Sequence, residues 1–218
     1  MSIEIVHRII NDFGALLLFT MILIVAANQI SGAIYAVAAQ SLFIAIAGAV
    51  LATATGNVDL WIIAGITLIV KAMVLPWLLL WVIRRMDVKR EVEPVIPTLT
   101  TLALAMVVVV MSFHLSASLD TVRQTITGNA LPVGIALTLN GVLVMATRKT
   151  ALSQMVGLFS SENGIFFTAM AVNKGMPLII EIGVILDVIL AVLVMTIMVL
   201  RVRSTVDADI ADLHRLRG

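Results

Sequence analysis

The length of the apolar runs constrains this chain more than anything else in it. Seven segments, roughly 12–30, 32–54, 59–84, 97–116, 131–147, 152–172 and 177–201, approach or exceed the ~20 mostly apolar residues that a helix needs to cross a bilayer. Little of the 218-residue chain lies outside them, since 61% of its residues are hydrophobic and only 12% are charged. An ordinary soluble domain is about 25% charged, and no soluble fold of this size hides so much apolar surface. None of the runs alternates with period two, which removes membrane-spanning strands. The expectation is an all-α integral membrane protein of about seven transmembrane helices.

Lysine and arginine set its orientation. Arg84, Arg85, Lys89 and Arg90 follow the third run, and Arg148 and Lys149 separate the fifth from the sixth. Arg201, Arg203, Arg215 and Arg217 follow the seventh, whereas the opposite helix ends carry only Arg8, Arg123 and Lys174. Basic residues collect on the cytoplasmic side. An odd number of helices then puts the N-terminus outside and the C-terminus in the cytoplasm. The first twelve residues hold Glu4 and Asp12 and no cleavable signal pattern, so the first run is expected to persist as a helix.

The charged stretch from Arg84 to Pro97 is the clearest linker. It divides an N-terminal three-helix unit (1–86) and a cytoplasmic loop (87–96) from a four-helix unit (97–203) and a cytoplasmic tail (204–218). Ile30-Ser31-Gly32 is expected to join the first two helices in a tight hairpin. A shift of 116 residues lays Leu42-Phe43 over Leu158-Phe159, Gly48 over Gly164 and Lys71 over Asp187. Parallel duplication and chance similarity both remain accounts of that echo.

Charged residues inside the apolar runs are the candidate functional groups. A carboxylate at mid-bilayer costs roughly 2.5–3.5 kcal/mol on insertion scales, so acids kept there usually serve an ion or proton path. Glu162 stands between Ser160-Ser161 and Asn163-Gly164, small and polar neighbours that leave room for water. Asp187 lies about ten residues into the last run, with Gly183 and Ala191 one turn to either side. Glu181 sits six residues before Asp187, about 120° away around the helix, and nearer its outer end. Lys71 is the one basic residue well inside a run, and Pro76 five residues on frees the carbonyl of Ala72. Together they point to a kink and a hydrated pocket. For each residue a functional and a structural reading stand side by side: proton exchange for the acids against helix–helix hydrogen bonding, and a proton relay for Lys71 against a static salt bridge to Asp187 or Glu162. His114, near the outer end of the fourth run, either ends such a relay or is merely interfacial. Asn140 is a further polar link, or part of the packing.

Absences narrow the chemistry. There is no cysteine, and His7, His114 and His214 form no metal-ligand spacing. No phosphate loop, nucleotide fingerprint or nucleophile set is present either. Neither a catalytic centre, a bound metal or cofactor, nor a nucleic-acid partner is expected.

The segment GLFSSENGIFF around Glu162, followed by Asp187 fourteen residues before Arg201, is similar to two acid-bearing helices of a known family. From Leu131 onward the chain resembles the small three-helix K subunit of respiratory complex I (NuoK) and the related C component of Mrp-type antiporters. Aspartate replaces the family's second glutamate, and the acids lie closer together in sequence. Over roughly residues 131–203, most specifically in SENGIFF and GMPLIIEIGVILDV, and in its N-terminal half by length and hydropathy only, the chain resembles the hydrogenase-4 component E (HyfE) family. That resemblance implies a non-catalytic membrane-arm subunit of a complex I-like, formate hydrogenlyase-type hydrogenase in a bacterial or archaeal cytoplasmic membrane. Its implied partners are antiporter-like membrane subunits, a hydrogenase membrane anchor, and soluble nickel–iron hydrogenase and iron–sulfur subunits. Glu162 and Asp187 would carry protons, with Lys71, Glu181 and His114 as secondary members. Two alternatives stand beside this reading, a subunit of a multi-chain cation/proton antiporter and a structural spacer whose charges only lock helices together.

Overall fold

The computed structural model describes residues 3–85, 94–117 and 130–172, together with Gly183. Among them the chain is entirely helical, with no β-strand. In order come α1 (Ile3–Ala26), α2 (Ile30–Thr55), α3 (Val58–Ile66), a π-helical segment (Thr67–Val74), α4 (Leu75–Arg85), α5 (Thr98–Ala117), α6 (Ala130–Thr147) and α7 (Ala151–Val172). α3, the π segment and α4 run on as one rod. Among the described residues five stretches are long and apolar enough to cross a membrane: Glu4–Ala26, Ile30–Thr55, Val58–Arg84, Thr98–Ala117 and Ala130–Thr147. α7, at 22 residues, has the length but is interrupted by Ser153, Gln154 and the run Ser160 to Asn163, and it is not one of the five. The seventh expected run, with Glu181 and Asp187, lies outside the described residues apart from Gly183.

Two expected boundaries shift, for a common reason. α1 begins at Ile3 instead of residue 12, because Val6 and Ile10 continue the inward stripe of Leu17, Met21 and Ile24 while Glu4 and Arg8 stay exposed. The turn into α2 lies at residues 27–29, not at Ile30–Gly32. Gln29 is extended (φ −117°, ψ 134°), Ile30 is fully buried as the first residue of α2, and Gly32 lies inside the helix. In both cases the side chain that must be buried decides, and the local charge or glycine does not. The next turn is made by Gly56 in the left-handed region (φ 69°), where a side chain is disfavoured, and by Asn57, whose side chain caps α3 by accepting from Asp59 N at 2.9 Å.

α1 packs on α2, α5 and α6, while α2 packs on α3, the π segment, α4 and α7. The halves before and after the linker therefore share one core, which runs from Val6 and Leu17 through Ile44 and Leu79 to Val156 and Phe167. α1 and α6 end together: Arg148 Nη2 donates to Val25 O at 2.6 Å, and Val95 N donates to Thr147 O at 2.8 Å. With the short α1–α2 and α2–α3 turns, this gathers the ends of α1, α4 and α6 with the starts of α2, α5 and α7 at one end of the bundle. That is the end bearing Arg84, Arg148 and Lys149. α5 turns Leu99, Val107, Val110 and Met111 outward, as a lipid-facing helix can, since hydrocarbon gives apolar side chains no reason to be buried.

The closest pairing is α6 against α7. Gly134, Thr138 and Gly141 on α6 face Gly157, Ser161, Gly164 and Thr168 on α7, a small-residue seam that brings backbones together. A Cβ on Gly141 would stand 2.5 Å from Ser161 N and 2.6 Å from Gly157 O, and one on Gly164 would stand 2.7 Å from Gly134 O. Nothing larger than hydrogen fits there.

Candidate functional site

The site begins with Pro76. A proline has no N–H to give the carbonyl four residues back, and its ring collides with that carbonyl. The hydrogen-bond ladder ahead of it slips by one residue: Leu75 N bonds Val70 O, five residues back, and residues 67–74 form a π-helix. The expected kink at Pro76 thus takes the form of a widened turn, and Lys71 lies within it. Lys71 is 8% exposed, although lysine is almost never buried without a partner.

The partner is Glu162. Lys71 Nζ stands 2.8 Å from Glu162 Oε1, and the glutamate is 5% exposed. The distance is that of an ion pair, while the angles fall short of a hydrogen bond, and Oε2 meets no hydrogen-bond donor among the described residues. The sequence left Lys71 a salt bridge to Asp187 or to Glu162; the one to Glu162 is present, and Asp187 lies outside the described residues. Gly183 also lies at this carboxylate, since a Cβ there would be 3.9 Å from Oε1. In sequence Gly183 falls between Glu181 and Asp187, which themselves lie outside the described residues.

The Ser160-Ser161-Glu162-Asn163 run offers a different neighbour to each side chain, as four successive positions on a buried helix must. Ser160 Oγ approaches Met21 Sδ of α1 at 3.0 Å. Ser161 packs its backbone on Gly141 of α6, and its carbonyl receives Thr138 Oγ1 at 3.4 Å. Glu162 meets Lys71, and Asn163 Nδ2 donates to Ser41 Oγ of α2 at 3.1 Å. Gln40, next to Ser41, reaches Met21 Sδ with Nε2 at 3.9 Å, and its Oε1 has no donor among the described residues. Asn140 is fully buried too, but its Nδ2 bonds Ala136 O of its own helix at 2.9 Å. His114 stands on a different element from the pair. It lies on the exposed face of α5, a helix that packs on α6 and α1.

Sequence reasoning treated Arg148 only as a topology marker. Its guanidinium is buried, 4% exposed, and caps the C-terminal end of α1 through Val25 O, where carbonyls lack helical partners and the helix dipole favours a cation. Burial lowers its pKa from the ordinary arginine value, but a guanidinium stays charged. No local pattern announces this role, because the acceptor is 123 positions away. Gln40, Ser41 and Met21 were missed for a different reason: they are unremarkable singly and become a polar layer only when α1, α2 and α7 assemble.

Beside Lys71, Ser41 and Asn163 lies a small cavity, about 10 Å³ of space open to the centre of a water, which is room for roughly one molecule. The arrangement sets a buried carboxylate against a cation, and one carboxylate oxygen meets no donor among the described residues.

Fold and site together define an all-helical protein of membrane-spanning character built around a buried lysine–glutamate pair. Over 152 residues, 69% of either chain, it is 35% identical to the uncharacterized protein Rv0085 of Mycobacterium tuberculosis (strain ATCC 25618 / H37Rv), and it belongs to the same family. No family model matches the chain, and no solved structure does.

Proposed function

We propose that this chain is a non-catalytic subunit of the membrane arm of a complex I-like, formate hydrogenlyase-type hydrogenase. On this reading it spans a bacterial or archaeal cytoplasmic membrane seven times, with its N-terminus outside. It adds charged groups to a proton path, and the Lys71–Glu162 pair is the element of that path nearest the middle of the bundle. The supporting observation is the pair itself, two opposite charges 2.8 Å apart in a membrane-type interior. Such a pair is a poor stabilising device, since apolar residues of the same volume usually do as well or better. A buried carboxylate beside a cation is, in contrast, suited to taking and releasing a proton while the cation compensates its charge. The likeness of SENGIFF and the Asp187 segment to HyfE and NuoK sequences supplies the coupled machinery. Asp187 and Glu181 are the further acids of the same path, and the chain brings no cofactor of its own.

One observation also suits a second reading. The charges are in contact, as they would be in a spacer whose ions only lock α7 to the π segment.

The proposal is tested by purifying the tagged native chain in mild detergent and identifying its companions by mass spectrometry. Nickel–iron hydrogenase subunits accompanied by antiporter-like chains are the expected result. Antiporter-like chains alone would move the protein to a cation/proton antiporter, and a chain recovered by itself would overturn the proposal.

A further inference from the structure

Two cavities lie in succession along the bundle, and they meet at one side chain. The first is at the end bearing Arg148 and is lined by Ile24, Ala33, Val144, Arg148, Ser153 and Val156. The second reaches the middle, with Ser41, Lys71 and Asn163 at its inner end and Leu79, Phe159 and Val156 toward the first. Each offers about 10 Å³ to a water centre, room for roughly one water. Ser153 and Asn163, on α7, mark the two ends of this course, which at 1.5 Å per residue is about 15 Å long. Polar groups stand at both ends: Arg148 with Ser153 at one, Lys71 with Ser41 and Asn163 at the other. Between them the walls are apolar, and Val156, 1% exposed, belongs to both cavities.

We propose that the two cavities are halves of one access route for water and protons to the Lys71–Glu162 pair, entered from the Arg148 end and gated by Val156. A short apolar neck with polar groups only at its far ends holds water intermittently, so its width controls how often a continuous water file forms. Branched valine narrows the neck without sealing it by bulk. The route gives the pair an exchange path toward one face of the bundle. It deepens the proton-path reading, on which its role rests, but the route itself is a matter of access and can be tested separately.

The chain has no cysteine, so single replacements report cleanly. Ser41→Cys and Ser153→Cys, in the full chain in sealed membrane vesicles of either orientation, are exposed to silver ion. Silver is a small thiol-reactive cation that travels through water and not through lipid. Blocking is read as lost maleimide labelling after denaturation. Both cysteines should be blocked by silver from the face carrying Arg84 and Arg148, with the one at position 153 blocked faster. Adding Val156→Phe should slow blocking at position 41 by about tenfold or more, and Val156→Ala should speed it, while position 153 keeps its rate in both. An unchanged rate at position 153, from the same face only, shows that the variants fold. Unchanged rates at position 41 in both Val156 variants, or blocking there only from the opposite face, would overturn the proposal. Should Glu162→Gln leave proton pumping intact while silver access follows Val156 as described, the proton-path reading fails and the water route stands.

Discussion

α7 has two faces, and they are built on opposite principles. Toward α6 it presents Gly157, Ser161, Gly164 and Thr168, and the two backbones meet with no room for a single added carbon. Toward α2 and the π segment it presents Val156, Phe159, Glu162 and Asn163, and there the structure holds a buried ion pair, an inter-helix hydrogen bond and a cavity. Lipid tails are as apolar as leucine, so helices in a membrane gain little from hydrophobic contact and must be joined by close packing or by polar groups. One helix uses both means, one on each side. The glycine seam makes α6 and α7 a single rigid wall. Glu162 is mounted on that wall, and Lys71 approaches it from a helix whose regular ladder has been broken.

The largest effect should come from the sealed face. Gly141→Leu forces a side chain into backbone atoms 2.5–2.7 Å from its Cβ, which neither helix can relieve by a rotamer change. Loss of at least about 3 kcal/mol, at the upper end of overpacking costs, is expected and should appear as failure to recover a monodisperse protein in detergent. Normal thermal stability of this variant would mean that the seam is not close-packed.

On the charged face, Lys71→Met leaves Glu162 buried beside no lysine and should cost about 3–5 kcal/mol in detergent unfolding. Restoring neutrality with Lys71→Met/Glu162→Gln should recover most of that loss, because it is the uncompensated charge that destabilises. A double variant as unstable as the single one would assign the cost to packing instead. Arg148→Met removes the charged cap from the end of α1 and should cost about 1.5–3 kcal/mol, read as a lowered unfolding temperature. His114→Ala, on the exposed face of α5, should change stability by less than about 0.5 kcal/mol, as is usual for surface positions, and should leave proton transfer unaltered. A pumping defect in that variant would assign His114 a part in the path.

The two faces also differ in how far they could be foreseen. The helical class, the place of the third rod and the burial of Lys71 and Glu162 inside apolar helices are legible in the sequence, because an apolar run of spanning length and an ion within it each leave few physical options. That Lys71 meets Glu162 is one of two pairings the sequence allows, and nothing in the sequence selects it. The contact lies in the π turn ahead of Pro76: the proline announces a break in the ladder, but not that the break takes the form of a widened turn carrying Lys71 to α7. The glycine seam escaped notice because small residues are common in membrane helices and carry meaning only when two spacings match across an interface. Gly134, Thr138 and Gly141 do so against Gly157, Ser161, Gly164 and Thr168. The helix ends at Ile3 and Ile30 were misplaced where charge and glycine argued locally against burial that the core then imposed.

The central claim is that the Lys71–Glu162 pair moves protons and does not merely tie two helices together. Exchanging the charges in Lys71→Glu/Glu162→Lys keeps an ion pair of the same composition but moves the carboxylate off the α7 wall. Pumping per turnover is then measured with the purified complex in proteoliposomes. The account predicts an assembled complex that retains its soluble redox activity and has lost most of its proton translocation. Full translocation from the exchanged pair would show that the charges serve only as a lock, and would contradict it.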